Sequence, residues 1–215
     1  MLAVHAHGAF LRRGGGPTPK RRIKKLPKVI WSGSSTEKGE KMTANEVIKA
    51  LNLKPHPGEG GYYRETYRSE KVDAPATVFG IDSVNPRVIS TAIYYLIVPN
   101  SFSALHRIKS DEVFHFYGGD PVEMIQIDER GKLTRFTLGP EILKGQTPQV
   151  VVRRGMWQGL RLLNGGEWAL MGTTVSPGFE FEDFELGNRD KLTKIYPQHC
   201  NEILRFTHGG DETSE

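Results

Sequence analysis

The chain has 215 residues, 37% hydrophobic and 25% charged, which is ample for one domain with a sizeable core. Its single cysteine, Cys200, excludes an intramolecular disulfide framework and fits a reducing compartment, and no apolar run approaches the roughly 18–20 residues that span a bilayer. Residues 1–41 hold four Arg and six Lys against Glu37 and Glu40, a net of +8, so the +4 of the whole chain leaves −4 on residues 42–215. The folded part is therefore mildly acidic and is not expected to bind nucleic acid.

In chain order, residues 1–41 read as a disordered basic arm or leader, because RRGGGPTPKRRIKK cannot bury enough surface to offset its ordering entropy. Other readings of this arm are a nuclear-import cluster at Lys20 to Lys25, an organellar transit peptide, or sequence upstream of a start at Met42. The remainder is expected in the cytoplasm as one domain over residues 42–206, with a polar tail over 207–215.

Thr43-Ala44-Asn45-Glu46 spells a capping box, and Val47, Ile48 and Leu51 form the apolar stripe of a short helix that Pro55-His56-Pro57-Gly58 stops. Gly61 to Arg68 favours an extended chain; unbroken alternation would place Tyr63, Glu65 and Tyr67 on one face and Tyr62, Arg64 and Thr66 on the other. Residues 70–87, polar with Pro75 and Pro86, read as a loop or lid. Ser90 to Val98 is a β-branched and aromatic run, hence a central strand.

Pro99-Asn100 then leads into a strand through His106. The Lys109 to Asp111 triplet reads as a hairpin turn that would return Glu112 beside His106. Asp128-Glu129-Arg130-Gly131 joins Val122–Ile127 to Lys132–Leu138 as a second hairpin. Val150–Arg153, Gly159–Leu163, Trp168–Val175 and Phe179–Phe184 continue the strands, the last with Phe179 and Phe181 inward. Such regular spacing predicts an all-β sandwich or barrel. After Gly187 the pattern turns helical, with Leu192, Ile195, Ile203, Leu204 and Phe206 apolar; Cys200 reads as a packed residue of that segment rather than a nucleophile.

The chemistry concentrates in Ser103 to Gly118, where His106, Asp111, Glu112 and His115 interrupt an otherwise apolar strand pattern. This stretch resembles the first motif of the cupin superfamily: Gly, five residues, His-x-His, three or four residues, Glu, six residues, Gly. His106 stands at the first His, Glu112 at the Glu and Gly119 at the final Gly, while Ile108 replaces the second His. Arg153 to Gln158 resembles the second motif, with Gln158 in place of its last His. GGYYRETYRS, HRIKSDEVFHFYGG and PGFEFEDFELG, in that order, resemble the DUF985 branch of the superfamily over roughly residues 42–206. The resemblance implies a double-stranded β-helix, or jelly-roll barrel, and a homodimer with exchanged strands.

Two chemistries follow. A metal-dependent cupin needs about four ligands, and His106, Glu112 and Gln158 supply a weakened set, so no cofactor is expected and a divalent metal is the disfavoured alternative. An imidazole paired with a carboxylate suits metal-free proton abstraction beside a carbonyl, and the resemblance to metal-free deoxysugar epimerases casts His106 as base and Glu112 as its orienting partner. The ligand would then be a nucleotide, nucleotide-sugar or sugar phosphate. Arg64, Arg107 and Arg161 are its candidate phosphate contacts, Tyr63 or Trp157 its stacking platform, and Tyr63 or Tyr94 the candidate second acid–base group. His115 and Gln158 complete the expected lining. A non-catalytic nucleotide or small-anion binding module is the alternative function.

Overall fold

The computed structural model describes residues 42–75 and 86–209. Residues 1–41, 76–85 and 210–215 lie outside the described residues, and with them the readings of a leader, of the middle of the expected lid and of most of the polar tail.

The capping box forms as the sequence spells it. The Thr43 hydroxyl accepts the Glu46 N–H, and the Glu46 carboxylate accepts the Thr43 N–H at 2.8 Å. These bonds satisfy donors that the first turn of α1 (Ala44–Leu51) would otherwise leave open. The helix stripe around Val47, with Ile48 and Leu51, packs against Leu96, Trp168 and Leu170, so α1 covers part of the outer face of a sheet.

The strands, in chain order, are β1 (Lys54–Pro55), β2 (Tyr62–Arg68), β3 (Lys71–Pro75), β4 (Pro86–Val88), β5 (Thr91–Ile97), β6 (Ser103–Arg107), β7 (Asp111–Gly119), β8 (Val122–Ile127), β9 (Leu133–Leu138), β10 (Gln149–Val152), β11 (Trp157–Leu162), β12 (Ala169–Ser176) and β13 (Glu185–Leu186). They build a six-stranded sheet, β1-β2-β5-β12-β7-β10, a five-stranded sheet, β13-β6-β11-β8-β9, and a separate β3-β4 pair. The two large sheets face each other as a jelly roll. The Asp128 to Gly131 turn joins β8 to β9, with Gly131 at φ +77 and its N–H on the Asp128 carbonyl.

Period-two alternation sorts the side chains. Val122 and Met124 of β8 point between the sheets, where they meet Tyr95, Phe114, Leu138, Leu160 and Met171. Ile125 and Ile127 of the same strand point outward, under Leu192 of α2 (Arg189–Ile195), Ile203 of α3 (Cys200–Arg205) and Phe206. At about 1.5–3 kcal/mol for each large apolar side chain removed from water, this two-sided burial anchors the five-stranded sheet. Among the described residues no helix is long and apolar enough to cross a membrane.

Three local expectations are corrected. β6 and β7 do not pair as a hairpin: β6 lies between β13 and β11, β7 between β12 and β10. The chain crosses from one sheet to the other through the buried Ser110, so His106 and Glu112 enter the interior from opposite sides. In β2 the register shifts between Glu65 and Tyr67, so Tyr67 partners Ala92 and is 55% exposed. Phe179 to Phe184 forms no ladder; it follows a cis Ser176–Pro177 bond and contains the short 3-10 turn Phe181–Asp183. Glu180 bonds Arg68 and Asp183 bonds Arg87, so the acids of this segment anchor it to other elements.

Candidate functional site

The site begins in a turn ahead of β2, Pro57-Gly58-Glu59-Gly60-Gly61. Gly60 (φ +101) lies so close to the chain ahead of β6 that a Cβ there would sit 2.3 Å from the Phe102 carbonyl oxygen, a conformation and an approach open only to glycine. The turn is tied down by Ala104 N–H on the Glu59 carbonyl (2.8 Å) and Gly61 N–H on Ser101 Oγ (2.6 Å). Its effect is to direct the Glu59 side chain inward, where the residue is only 9% exposed.

Glu59 stands between two imidazoles. Its Oε2 lies 3.7 Å from His56 Nε2 and 3.9 Å from His106 Nε2, and Oε1 accepts the Ser103 hydroxyl at 2.7 Å. His106 Nδ1 lies 2.8 Å from the Ala104 carbonyl oxygen, which can only accept. Nδ1–H therefore donates, and Nε2 faces Glu59. Phe184 stacks on the His106 ring at 5.2 Å and 26°, and His56 meets Tyr63 edge-on at 4.7 Å.

The opposite sheet supplies Glu112, buried on β7 and accepting the Gln158 amide N–H at 2.6 Å. A cavity of about 250 Å³ joins the two sides. His56, Glu59, His106, Glu112 and Thr173 form its polar wall; Ile93, Ile108, Val175, Phe179 and Phe184 form an apolar one.

Electrostatics separate the two carboxyls. Burial works to raise Glu59, yet attraction to His106 and His56, with the bond from Ser103, holds it below the usual carboxylate range. Burial pushes Glu112 above that range; His106 pulls it back only in part and Glu59 adds to the rise. Burial also lowers the His56 imidazole against the pull of Glu59. The two carboxyls of one cavity are thus shifted in opposite directions, the kind of separation that acid–base pairs use.

The donor set does not fit the four-ligand metal arrangement that the sequence motifs bring to mind. Ile108 lines the cavity with hydrocarbon where an imidazole would be needed, and Gln158, whose amide nitrogen donates to Glu112, has only a neutral amide oxygen to offer in place of a second imidazole. Among the described residues no three His, Cys, Asp or Glu side chains converge on a metal position.

Of the residues expected from sequence, Tyr63, His106 and Glu112 line the cavity, and Gln158 stands behind Glu112. Arg64 and Tyr94 lie on the outer face of the six-stranded sheet, the guanidinium 5.3 Å from the ring centre. His115 is on that face too, bonded to Thr174 and Gln149. Trp157 is buried beneath the C-terminal helices. Arg161 lies over Phe102 and donates to the Arg205 carbonyl. Arg107 crosses Trp157, bonds Glu185 at 2.7 Å, and lines a separate groove of about 410 Å³ that shares only Ile108 and Phe184 with the cavity. The three arginines read as phosphate contacts thus do not meet at the cavity.

Sequence reasoning missed Glu59, His56, Arg68 and Phe184. The only signal was an acid enclosed by glycines, Gly58-Glu59-Gly60-Gly61, and a charged residue in a Gly-rich turn ordinarily faces water.

A family model described as Cupin superfamily (DUF985) matches residues 45–187. A protein of Shewanella oneidensis solved by X-ray crystallography is 34% identical, with a TM-score of 0.69 over 78% of this chain and 99% of that one. A hypothetical protein from Leishmania major is also 34% identical, with a TM-score of 0.70 over 78% of this chain and 100% of its own. A dTDP sugar isomerase from Desulfovibrio desulfuricans matches at 17% identity and a TM-score of 0.43, over 61% of this chain and 87% of its own, a likeness too slight to carry an argument. No curated protein matches the chain.

Proposed function

The chain belongs to the DUF985 branch of the cupin superfamily, and from its site we propose that it is a metal-independent proton-transfer enzyme, an isomerase or epimerase working beside the carbonyl of a sugar-sized compound. One observation carries the reading: His106 Nε2, its ring fixed through Nδ1, faces the Glu59 carboxylate at 3.9 Å on a cavity whose other sheet presents Glu112.

In this reading His106 takes the proton from the carbon next to the carbonyl, and the Glu59 charge stabilises the imidazolium that results. Glu112, which burial favours in its protonated form, gives its proton to the carbonyl oxygen as the enediol forms. His106 returning a proton to carbon while an enediol hydroxyl gives its proton back to Glu112 completes the change and restores both groups, with no net oxidation or reduction. General acid–base groups of this kind contribute about 10²–10⁴-fold each. The volume of about 250 Å³ lies just below the roughly 300–1,000 Å³ of pockets that enclose drug-sized ligands, which favours a monosaccharide over a whole nucleotide-sugar.

The test is exchange with solvent. The full chain in D₂O is incubated with a panel of aldoses and ketoses, and NMR follows the proton next to the carbonyl. Deuterium should enter with at least one member, and His106→Asn should slow it about 10²-fold or more. A panel without exchange overturns the enzyme reading; sugar binding without exchange leaves a binding module in its place.

A further inference from the structure

The charges around the cavity are unequally committed. Arg68 is the one Lys or Arg that lines it among the described residues, and each nitrogen of its guanidinium is already engaged. Nε donates to both Glu65 oxygens at 3.1 Å, and Nη2 to Glu65 at 2.9 Å and to the Phe179 carbonyl at 3.2 Å. Nη1 donates to Glu180 at 3.1 Å. Glu59, Glu65 and Glu112 line the same cavity.

An entering phosphate would be stripped of water beside carboxylates, and the cation that could receive it bidentately is held by Glu65. The walls suit a different guest. Hydroxyl groups can donate to Glu59 and His106 Nε2, while the C–H face of a sugar ring lies against Phe179 and Phe184. Resting on the proton-transfer reading of the same cavity, we infer that it selects uncharged, hydroxyl-bearing sugars and turns away their phosphate esters, with Glu65 acting as the filter by occupying Arg68.

The experiment pairs D-glucose, D-mannose and D-fructose with their 6-phosphates in calorimetric titrations of the full chain. At least one free sugar should bind, and its 6-phosphate should bind no better. The Glu65→Gln variant changes a side chain that is 41% exposed and therefore leaves the core packing intact, which a thermal melt verifies. With the Nε–Nη2 edge of Arg68 freed from its carboxylate partner, though Glu180 still holds Nη1, it should bind the 6-phosphates about tenfold or more tightly than wild type does, the gain expected of one charge-assisted contact. Tighter binding of a phosphate ester than of its parent by wild type overturns the inference. So do an unchanged preference in the variant and a panel in which no sugar binds. The two readings fail separately: free-sugar binding without deuterium exchange removes the enzyme and leaves the filter, whereas exchange on a 6-phosphate keeps the enzyme and removes the filter.

Discussion

Glu59 and His106 meet at 3.9 Å, oxygen to nitrogen, in a space that neither could occupy alone at low cost. A buried carboxylate without a partner loses several kcal/mol of hydration. Here Ser103 gives it a hydrogen bond and two imidazoles flank it. His106 in turn depends on the Ala104 carbonyl for its orientation. The pair is thus held from both ends, and each end can be altered separately.

Glu59→Gln keeps the shape and removes the charge. The folded Glu59 carboxyl is held below its unfolded value, so its stabilisation is fully present above the unfolded carboxylate pKa and is lost as pH falls through the folded value. His56 works in the same direction, since acid must charge a ring whose burial favours the neutral form. Urea unfolding between pH 7 and pH 3 should show a shallower acid loss for the variant than for wild type. Parallel curves would mean that the carboxylate is not coupled to the imidazoles.

Glu112→Gln should behave in the opposite sense. The folded Glu112 carboxyl lies above its unfolded value, so its contribution is present below the unfolded pKa and is lost as pH rises through the folded one. A glutamine carbonyl can still accept the Gln158 N–H. The variant should therefore match or exceed wild-type stability at pH 8 while exchange activity falls about 10²-fold or more. Destabilisation beyond about 2 kcal/mol would show that the charged form is better satisfied than its surroundings suggest.

Arg87 and Asp183 form an ion pair at 1% and 6% exposure, pinning the 3-10 turn beside the cavity wall. Asp183→Ala leaves a buried guanidinium unanswered and should cost about 3–5 kcal/mol. Arg87→Met with Asp183→Leu should restore most of that loss, since apolar replacement of both partners is often neutral or stabilising. Chemical denaturation of the single and double variants decides it; a single variant as stable as wild type would exclude a structural role for the pair.

Gly119 ends β7 at φ +92, and a Cβ there would lie 2.3 Å from the Trp168 carbonyl oxygen. Gly119→Ala should therefore destabilise by more than about 1 kcal/mol, beyond the ordinary effect of the exchange. A midpoint in urea equal to wild type would show that the β7–β12 join can move aside.

The all-β character, the central β5, the capping box and the β8–β9 turn were legible because each rests on local chemistry: alternation, β-branching, a Thr–Glu pair, a glycine at positive φ. The site was legible only in halves. His106 and Glu112 stood out as polar groups inside apolar strands, but reading a turn between them as a hairpin put them on neighbouring strands of one sheet. Residues 108–110 give no local sign that the chain changes sheets, because a turn and a crossover draw on the same polar vocabulary. Glu59 was hidden for a different reason. Its position depends on a tertiary contact with the chain ahead of β6, which leaves no periodic trace. The arginines misled because bidentate geometry is a property of the side chain, whereas its use is decided by whichever carboxylate or ring lies nearest.

The turn that carries Glu59 is fastened by a handful of polar ties: the Ala104 N–H on the Glu59 carbonyl, the Gly61 N–H on Ser101 Oγ, the His56 N–H on the Gly61 carbonyl, the Tyr95 hydroxyl on the Gly60 carbonyl and the Ser103 hydroxyl on the Glu59 carboxylate. Opening such a strap exposes little apolar surface, so it is expected to require far less free energy than separating the sheets. The molecule then has two thresholds. At the lower one the barrel persists, spectroscopically native, while Glu59 leaves His106 and the site of the proposed proton transfer is dismantled. Heat or denaturant should extinguish the proposed exchange activity before any probe of the core registers a change.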